Sequence, residues 1–116
     1  MEFWFSEFHT PDVKHSIRVN KQLYSKQSDY QRIDIFETPE FGRVLTLDGN
    51  VMLTERDEFI YDEMIVHVPM AVHREAKDIL VIGAGDGGVV RELTRYDRVA
   101  VSYTHLRAHE TEAELV

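Results

Sequence analysis

Residues 78–92, DILVIGAGDGGVVRE, constrain what this chain can fold into more than any other stretch. Ile79, Leu80, Val81 and Ile82 form an unbroken apolar run. Such a run fits a short strand buried on both faces, as in a parallel sheet covered by helices. Gly83, Gly85, Gly87 and Gly88 follow, and residues without a Cβ let the backbone turn sharply and let a ligand approach its amides. Residues 89–96 then read as a helix. Strand, glycine turn and helix in that order place helix N–H groups beside a pocket.

The spacing Gly83-x-Gly85-x-x-Gly88 fits a dinucleotide fingerprint, a pattern of low specificity by itself. Asp86 changes its meaning. A carboxylate inside the turn repels a pyrophosphate and suits a cationic or amine-bearing ligand, such as a sulfonium nucleoside with an amino tail. The plainer alternative is a structural turn in which Asp86 only caps the helix.

A length of 116 residues is enough for one modest domain, but not for a complete doubly wound domain plus an N-terminal module. There is no cysteine, hence no disulfide framework and no thiolate metal site. A formal net charge of −8 and the lack of a Lys/Arg cluster disfavour a nucleic-acid surface. No apolar stretch approaches membrane-spanning length. Met1 is followed by Glu2, Trp4 and Glu7 rather than by a basic and then apolar leader, so the chain reads as cytoplasmic. His9, His15, His67 and His73 show no ligand-like spacing. His105 and His109 share a helical face but lack a third ligand, and no metal site is expected. Neither a Gly-x-Ser-x-Gly elbow nor a Walker lysine loop is present.

Upstream, residues 4–8 read as an edge strand or arm whose aromatics could equally pack on a partner subunit. Ile17, Val19 and Leu23 alternate with Arg18, Asn20 and Gln22, the period of a half-buried strand, with Lys21 as the one mismatch. Residues 25–29 read as a turn. Gln31, Ile33 and Ile35 share one face of the next strand, opposite Arg32, Asp34 and Phe36. Residues 38–42 carry turn chemistry, residues 43–47 make a third strand, and Asp48-Gly49 is a hairpin signal before a return at residues 51–53. The first half is thus a small antiparallel meander, expected to lean on the following domain or on another copy of itself.

Thr54, Glu55, Arg56 and Asp57 form a capping-box signature, in which Thr54 accepts from the Asp57 backbone N–H. A helix follows over residues 58–68, and Pro69 kinks or closes it. Tyr61, Ile65 and Val68 share one face, and Ile60 and Met64 the adjoining one. Spacing alone favours Tyr61 as ordinary core and Asp57, Glu58, Asp62 and Glu63 as a solvated acidic face.

The run LDGNVMLTERDEFIYDEM at residues 47–64, the HVP at 67–69 and the turn GAGDGG at 83–88 resemble the spermidine synthases, the polyamine aminopropyltransferases, over about residues 1–97. The resemblance implies a fold between α+β and α/β: an N-terminal antiparallel β-meander, residues 1–53, then a linking helix and the first β-α unit of a truncated Rossmann-like, methyltransferase-type domain, residues 54–116. It implies transfer of an aminopropyl group from decarboxylated S-adenosylmethionine, a co-substrate rather than a cofactor, to putrescine, giving spermidine and methylthioadenosine. Assembly as homodimers or homotetramers is implied as well. By position, Gln31 matches a glutamine that contacts the nucleoside donor, Tyr61 a tyrosine lining the substrate cleft, and Asp86 the turn aspartate that holds an amino group. Gly83, Gly85, Gly87 and Gly88 match the nucleoside-binding turn, with Ala84 in place of a common glycine. Asp62 stands where the family often has His or Gln in contact with the polyamine.

The resemblance places the family's proton-accepting Asp beyond these residues, so none of them is expected to be catalytic and the chain alone is expected to be an inactive fragment. After about Asp97 the likeness is expected to end. A ribose-binding acid is due near position 105 by the spacing of about 20 residues. Glu110 comes too late, and residues 102–116 read as a truncated or chimeric end. Two other functions share some of these features. One is methyl transfer from S-adenosylmethionine, disfavoured by the motif at residues 54–64; the other is a non-catalytic, oligomerising β-module.

Overall fold

Side-chain alternation along the first half of the chain produces six antiparallel strands. The computed structural model describes residues 1–104 and divides the chain into two compact units, Met1–Glu58 and Phe59–Val116. In the first unit, β1 (Phe3–Thr10) and β2 (Val13–Val19) form a hairpin. β3 (Lys21–Gln27), β4 (Arg32–Thr38), β5 (Gly42–Leu47) and β6 (Asn50–Thr54) form a four-stranded sheet in that order. The hairpin packs on the sheet through the Phe5 and Phe36 rings, 5.1 Å apart, and through Glu7, which accepts from the Val51 N–H at 3.0 Å. Ile17, Val19 and Val44 are the buried apolar residues here. Asp48 and Gly49 both take positive φ, 51° and 79°, as the hairpin signal requires.

Three local expectations are corrected in this unit. Lys21 is not a mismatch within one strand: β2 ends at Val19, Asn20 donates to the Glu37 carbonyl at 2.9 Å, and β3 begins in the second sheet. β3 runs on through Gln27, and the turn comes later, at residues 28–31. Thr54 closes β6 and its hydroxyl donates to the Asp57 carboxylate at 2.5 Å instead of accepting from a backbone N–H.

The second unit contains α1 (Glu58–Val72), β7 (Asp78–Ile82), α2 (Gly88–Leu93) and β8 (Ala100–Thr104). β7 and β8 pair in parallel from Asp78↔Ala100 to Ile82↔Thr104, with α2 in the crossover. This is the Rossmann-like part of a mixed α+β chain. Val66 and Met70 from α1, Val81 from β7 and Leu93 from α2 make its core. α1 continues through Pro69, since proline removes only one backbone donor, and the carbonyl of Pro69 still accepts from the His73 N–H at 2.8 Å. β7 is not buried on both faces: Val81 is buried, whereas Leu80 and Ile82 are each 57% exposed. Among the described residues no helix is long and apolar enough to cross a membrane.

Candidate functional site

The turn after β7 is built from three left-handed residues in five. Gly83 has φ 82°, Ala84 51° and Gly87 82°, and the Gly87 N–H closes the turn on the Ala84 carbonyl at 3.0 Å. Glycine adopts this geometry freely, whereas Ala84 adopts it at a cost of roughly 1–2 kcal/mol. A Cβ at Gly83 or Gly87 would meet nothing within 4 Å, so backbone conformation alone selects glycine there. Gly88 is selected by space, because a Cβ on it would run into the carboxylate of Asp62. Gly87 forms the N-cap of α2 with no side-chain hydrogen bond. Asp86 is therefore not a capping residue; it sits exposed at the tip of the turn, where its charge is available to a ligand.

Beside the turn lies a cleft of about 550 Å³, whose lining includes Tyr61, Ile65, His73, Asp78, Ile82 and Asp86. Two carboxylates and no lysine or arginine line it among the described residues. Tyr61 is 66% exposed, so it is cleft wall rather than core. Asp62 is only 1% exposed, so it does not belong to a solvated acidic face. It lies behind Gly88, 3.6 Å from the Arg91 guanidinium, and does not line the cleft. Gln31 belongs to the first unit, just before β4. Its backbone is pinned by Ser28, whose N–H and hydroxyl donate to the Gln31 carbonyl at 2.9 and 2.7 Å and whose Oγ accepts from the Gln31 N–H at 3.0 Å. The structure thus brings Tyr61 and Asp86 to one cleft and sets Asp62 behind the turn.

A second cluster had no signal in residue spacing. Glu92 is 1% exposed; its carboxylate accepts from His67 Nε2 at 2.9 Å and from Arg91 Nε at 3.3 Å, and it forms an ion pair with Arg95 Nε at 3.1 Å. Nδ1 of His67 lies 2.6 Å from the Tyr96 hydroxyl. A neutral imidazole satisfies both bonds, with Tyr96 donating to Nδ1 and Nε2–H donating to Glu92. The His67 hydrogen bond holds the Glu92 carboxyl below the usual carboxylate range against the desolvation that would raise it, and Arg91 and Arg95 add to the effect. His67 lies 25 residues from Glu92, which is why no local pattern reveals the pair. Among the described residues no group of three or more His, Asp or Glu side chains could hold a metal ion. His105, His109 and Glu110 lie outside the described residues.

An antiparallel β unit followed by strand, acidic glycine turn, helix and second parallel strand defines the class: a mixed α+β protein whose second unit begins a Rossmann-like domain. A family model described as "Spermidine synthase tetramerisation domain" matches residues 3–55, and one described as "Spermine/spermidine synthase domain" matches residues 58–116. The chain belongs to the spermine/spermidine synthase family. It is 63% identical over 99 residues to a polyamine aminopropyltransferase of Lachnospira eligens, an alignment covering 85% of this chain and 35% of the relative. It is 56% identical over 116 residues to that of Lachnoclostridium phytofermentans, covering 100% of this chain and 40% of the relative. A solved spermidine synthase in complex with the transition state analogue AdoDATO superposes with a TM-score of 0.84 at 45% identity, covering 91% of this chain and 37% of that one.

These matches overturn the expectation that the likeness stops near Asp97 and that residues 102–116 are foreign to the family. The synthase-domain match runs to residue 116, and the L. phytofermentans alignment spans all 116 residues. The physical reason lies in β8: Ala100–Thr104 adds the second parallel strand in register with β7, a role fulfilled by backbone pairing without a motif of its own. The chain spans 35–40% of the length of these two curated relatives.

Proposed function

We propose that this chain serves aminopropyl transfer from decarboxylated S-adenosylmethionine to putrescine, yielding spermidine and methylthioadenosine. The observation that carries the reading is the acidic cleft beside a glycine turn, with Asp78 and Asp86 in its wall and no lysine or arginine among the described lining residues. A donor whose tail ends in an ammonium is attracted there. S-adenosylmethionine carries an additional carboxylate that cancels one of its two positive charges and weakens this attraction, and a dinucleotide carries a pyrophosphate and is repelled. Gly83, Gly85, Gly87 and Gly88 bring the backbone close to the nucleoside, Asp86 holds the tail amine, and Gln31 contacts the donor. Tyr61 lines the amine side of the cleft, and Asp62, facing Arg91 behind Gly88, backs the turn that carries Asp86.

The chemistry is displacement at a carbon made electrophilic by the adjacent sulfonium. Putrescine is a dication at neutral pH, so one ammonium must lose a proton before attack while the other stays bound. Carboxylates suit both tasks. In this reading residues 1–53 form an assembly domain and residues 54–116 the linking helix and the start of the nucleoside-binding domain, working as a homodimer or homotetramer in the cytoplasm. The description of the matching N-terminal family model as a tetramerisation domain supports assembly. Equilibrium dialysis of the purified protein against decarboxylated S-adenosylmethionine, S-adenosylmethionine and NADH tests the reading. The expected order is decarboxylated donor tightest and NADH unbound; tighter binding of S-adenosylmethionine points to methyl transfer and overturns it.

A further inference from the structure

We propose that Glu92 is a positioning residue for nucleoside binding: it clamps α2 against α1 and thereby sets where the turn presents Asp86. α2 has six residues, too few to hold its own direction, since isolated helices of that length are unstable in water. Leu93 anchors it to the core and Val89 and Val90 pack against the same cluster, but apolar contact is non-directional and leaves freedom of tilt. The polar contacts remove that freedom. His67 of α1 meets Glu92 Oε2 at 2.9 Å, and Arg91, which donates to Glu92 Oε1 at 3.3 Å, also lies 3.6 Å from Asp62 of α1. Asp62 and His67 are five positions apart on α1, which separates the two attachment points by about 7–8 Å at 1.5 Å rise per residue. Two attachments at that separation fix tilt as well as distance.

The clamp is also specific in chemistry. Two buried carboxylates, Asp62 and Glu92, face two partly exposed guanidiniums, Arg91 and Arg95, and the His67 imidazole, so the two negative charges are matched by two positive ones. Only a carboxylate at position 92 can accept from His67 and Arg91 while its charge also pairs with Arg95. Glutamine has a single acceptor oxygen and turns its NH₂ toward guanidiniums, and aspartate is one methylene too short. Gly88, the first residue of α2, lies directly against the Asp62 carboxylate, and Asp86 stands two residues before it. A change in the tilt of α2 is therefore passed to Asp86 through Gly87, whose left-handed conformation is already special.

This inference rests on the reading of the turn as a site for an aminated nucleoside, and the test separates the two. Affinities of wild type, Glu92→Gln, Asp86→Ala and the double variant are measured by calorimetry for decarboxylated S-adenosylmethionine and for methylthioadenosine, which has no amine tail. The expected result for Glu92→Gln is a loss of tenfold or more for the aminated donor with less than a threefold loss for methylthioadenosine. In the double variant the two losses are expected not to multiply. Equal losses for both nucleosides, or losses that multiply, overturn the proposal and leave Glu92 a purely structural residue. If Glu92→Gln does not fold, Tyr96→Phe removes only the bond to His67 and is expected to show the same selective loss at two- to fivefold; no selectivity there overturns the proposal equally. Failure of the wild type to bind the aminated donor would instead refute the nucleoside reading itself, and the proposal with it.

Discussion

At the scale of single residues, the glycines of one turn are not interchangeable, and two different reasons select three of the four. Gly83 and Gly87 answer to backbone conformation, Gly88 answers to the Asp62 carboxylate, and Gly85 lies exposed between them. Substitution separates the cases. Gly83→Ala is expected to cost roughly 1–2 kcal/mol from the left-handed backbone alone. Gly88→Ala is expected to cost about 1–3 kcal/mol by overpacking against Asp62. Because the second penalty needs the carboxylate, combining Gly88→Ala with Asp62→Ala should cost less than the sum of the two, whereas Gly83→Ala with Asp62→Ala should be additive. Urea denaturation of the six proteins checks this, and additivity in both pairs would remove Asp62 as the neighbour that requires Gly88.

At the scale of elements, two carboxylates make the fold sensitive to acid. Glu92 in the second unit is held below its ordinary value of 4.5, chiefly by His67. Burial pushes Asp34 upward, but hydrogen bonds from Arg32, Ser25 and Gln22 outweigh it, so it too titrates below its ordinary 3.8. A carboxyl whose folded pKa is depressed contributes stability that is complete above its unfolded pKa and is lost as pH falls through the folded value. The urea midpoint should thus be flat near neutrality and fall below roughly pH 4.5, and Glu92→Gln and Asp34→Asn should each shallow that fall. A fall of unchanged steepness in both variants would assign acid sensitivity to other groups.

The strands were largely legible from alternation, and the hairpin from Asp48-Gly49, because those signals are local. α1 was less so. It is apolar around most of its circumference, with Ile60, Met64, Ile65 and Val68 all 45% exposed or more, so periodicity could not tell which stripe is buried. The buried stripe holds Asp62, Val66 and Met70, and a charged residue at its head is what an apolar pattern hides. Likewise, Lys21 marked the passage from one sheet to another, which a period of two registers only as an error in one strand. The Glu92 cluster was invisible because its partners come from separate elements and meet only after folding.

At the scale of the whole molecule, motif residues revealed the family, while the extent of the likeness was missed where β8 contributes pairing rather than chemistry. Exposed aromatics on β1, with Phe3, Trp4 and Phe8 each 56% exposed or more, add a physical reason to expect association beyond the name of the matching domain. Sedimentation velocity at micromolar concentration should show a dimer or larger species, and a lone monomer would contradict the assembly proposal. The central claim, that a carboxylate in a tight glycine turn grips the amine of a nucleoside donor, is tested most directly by calorimetric titration of decarboxylated S-adenosylmethionine into wild type and Asp86→Ala. Loss of a charge-assisted hydrogen bond worth roughly 1.5–3 kcal/mol predicts about ten- to 150-fold weaker binding by the variant. Equal affinity in the two proteins would contradict it.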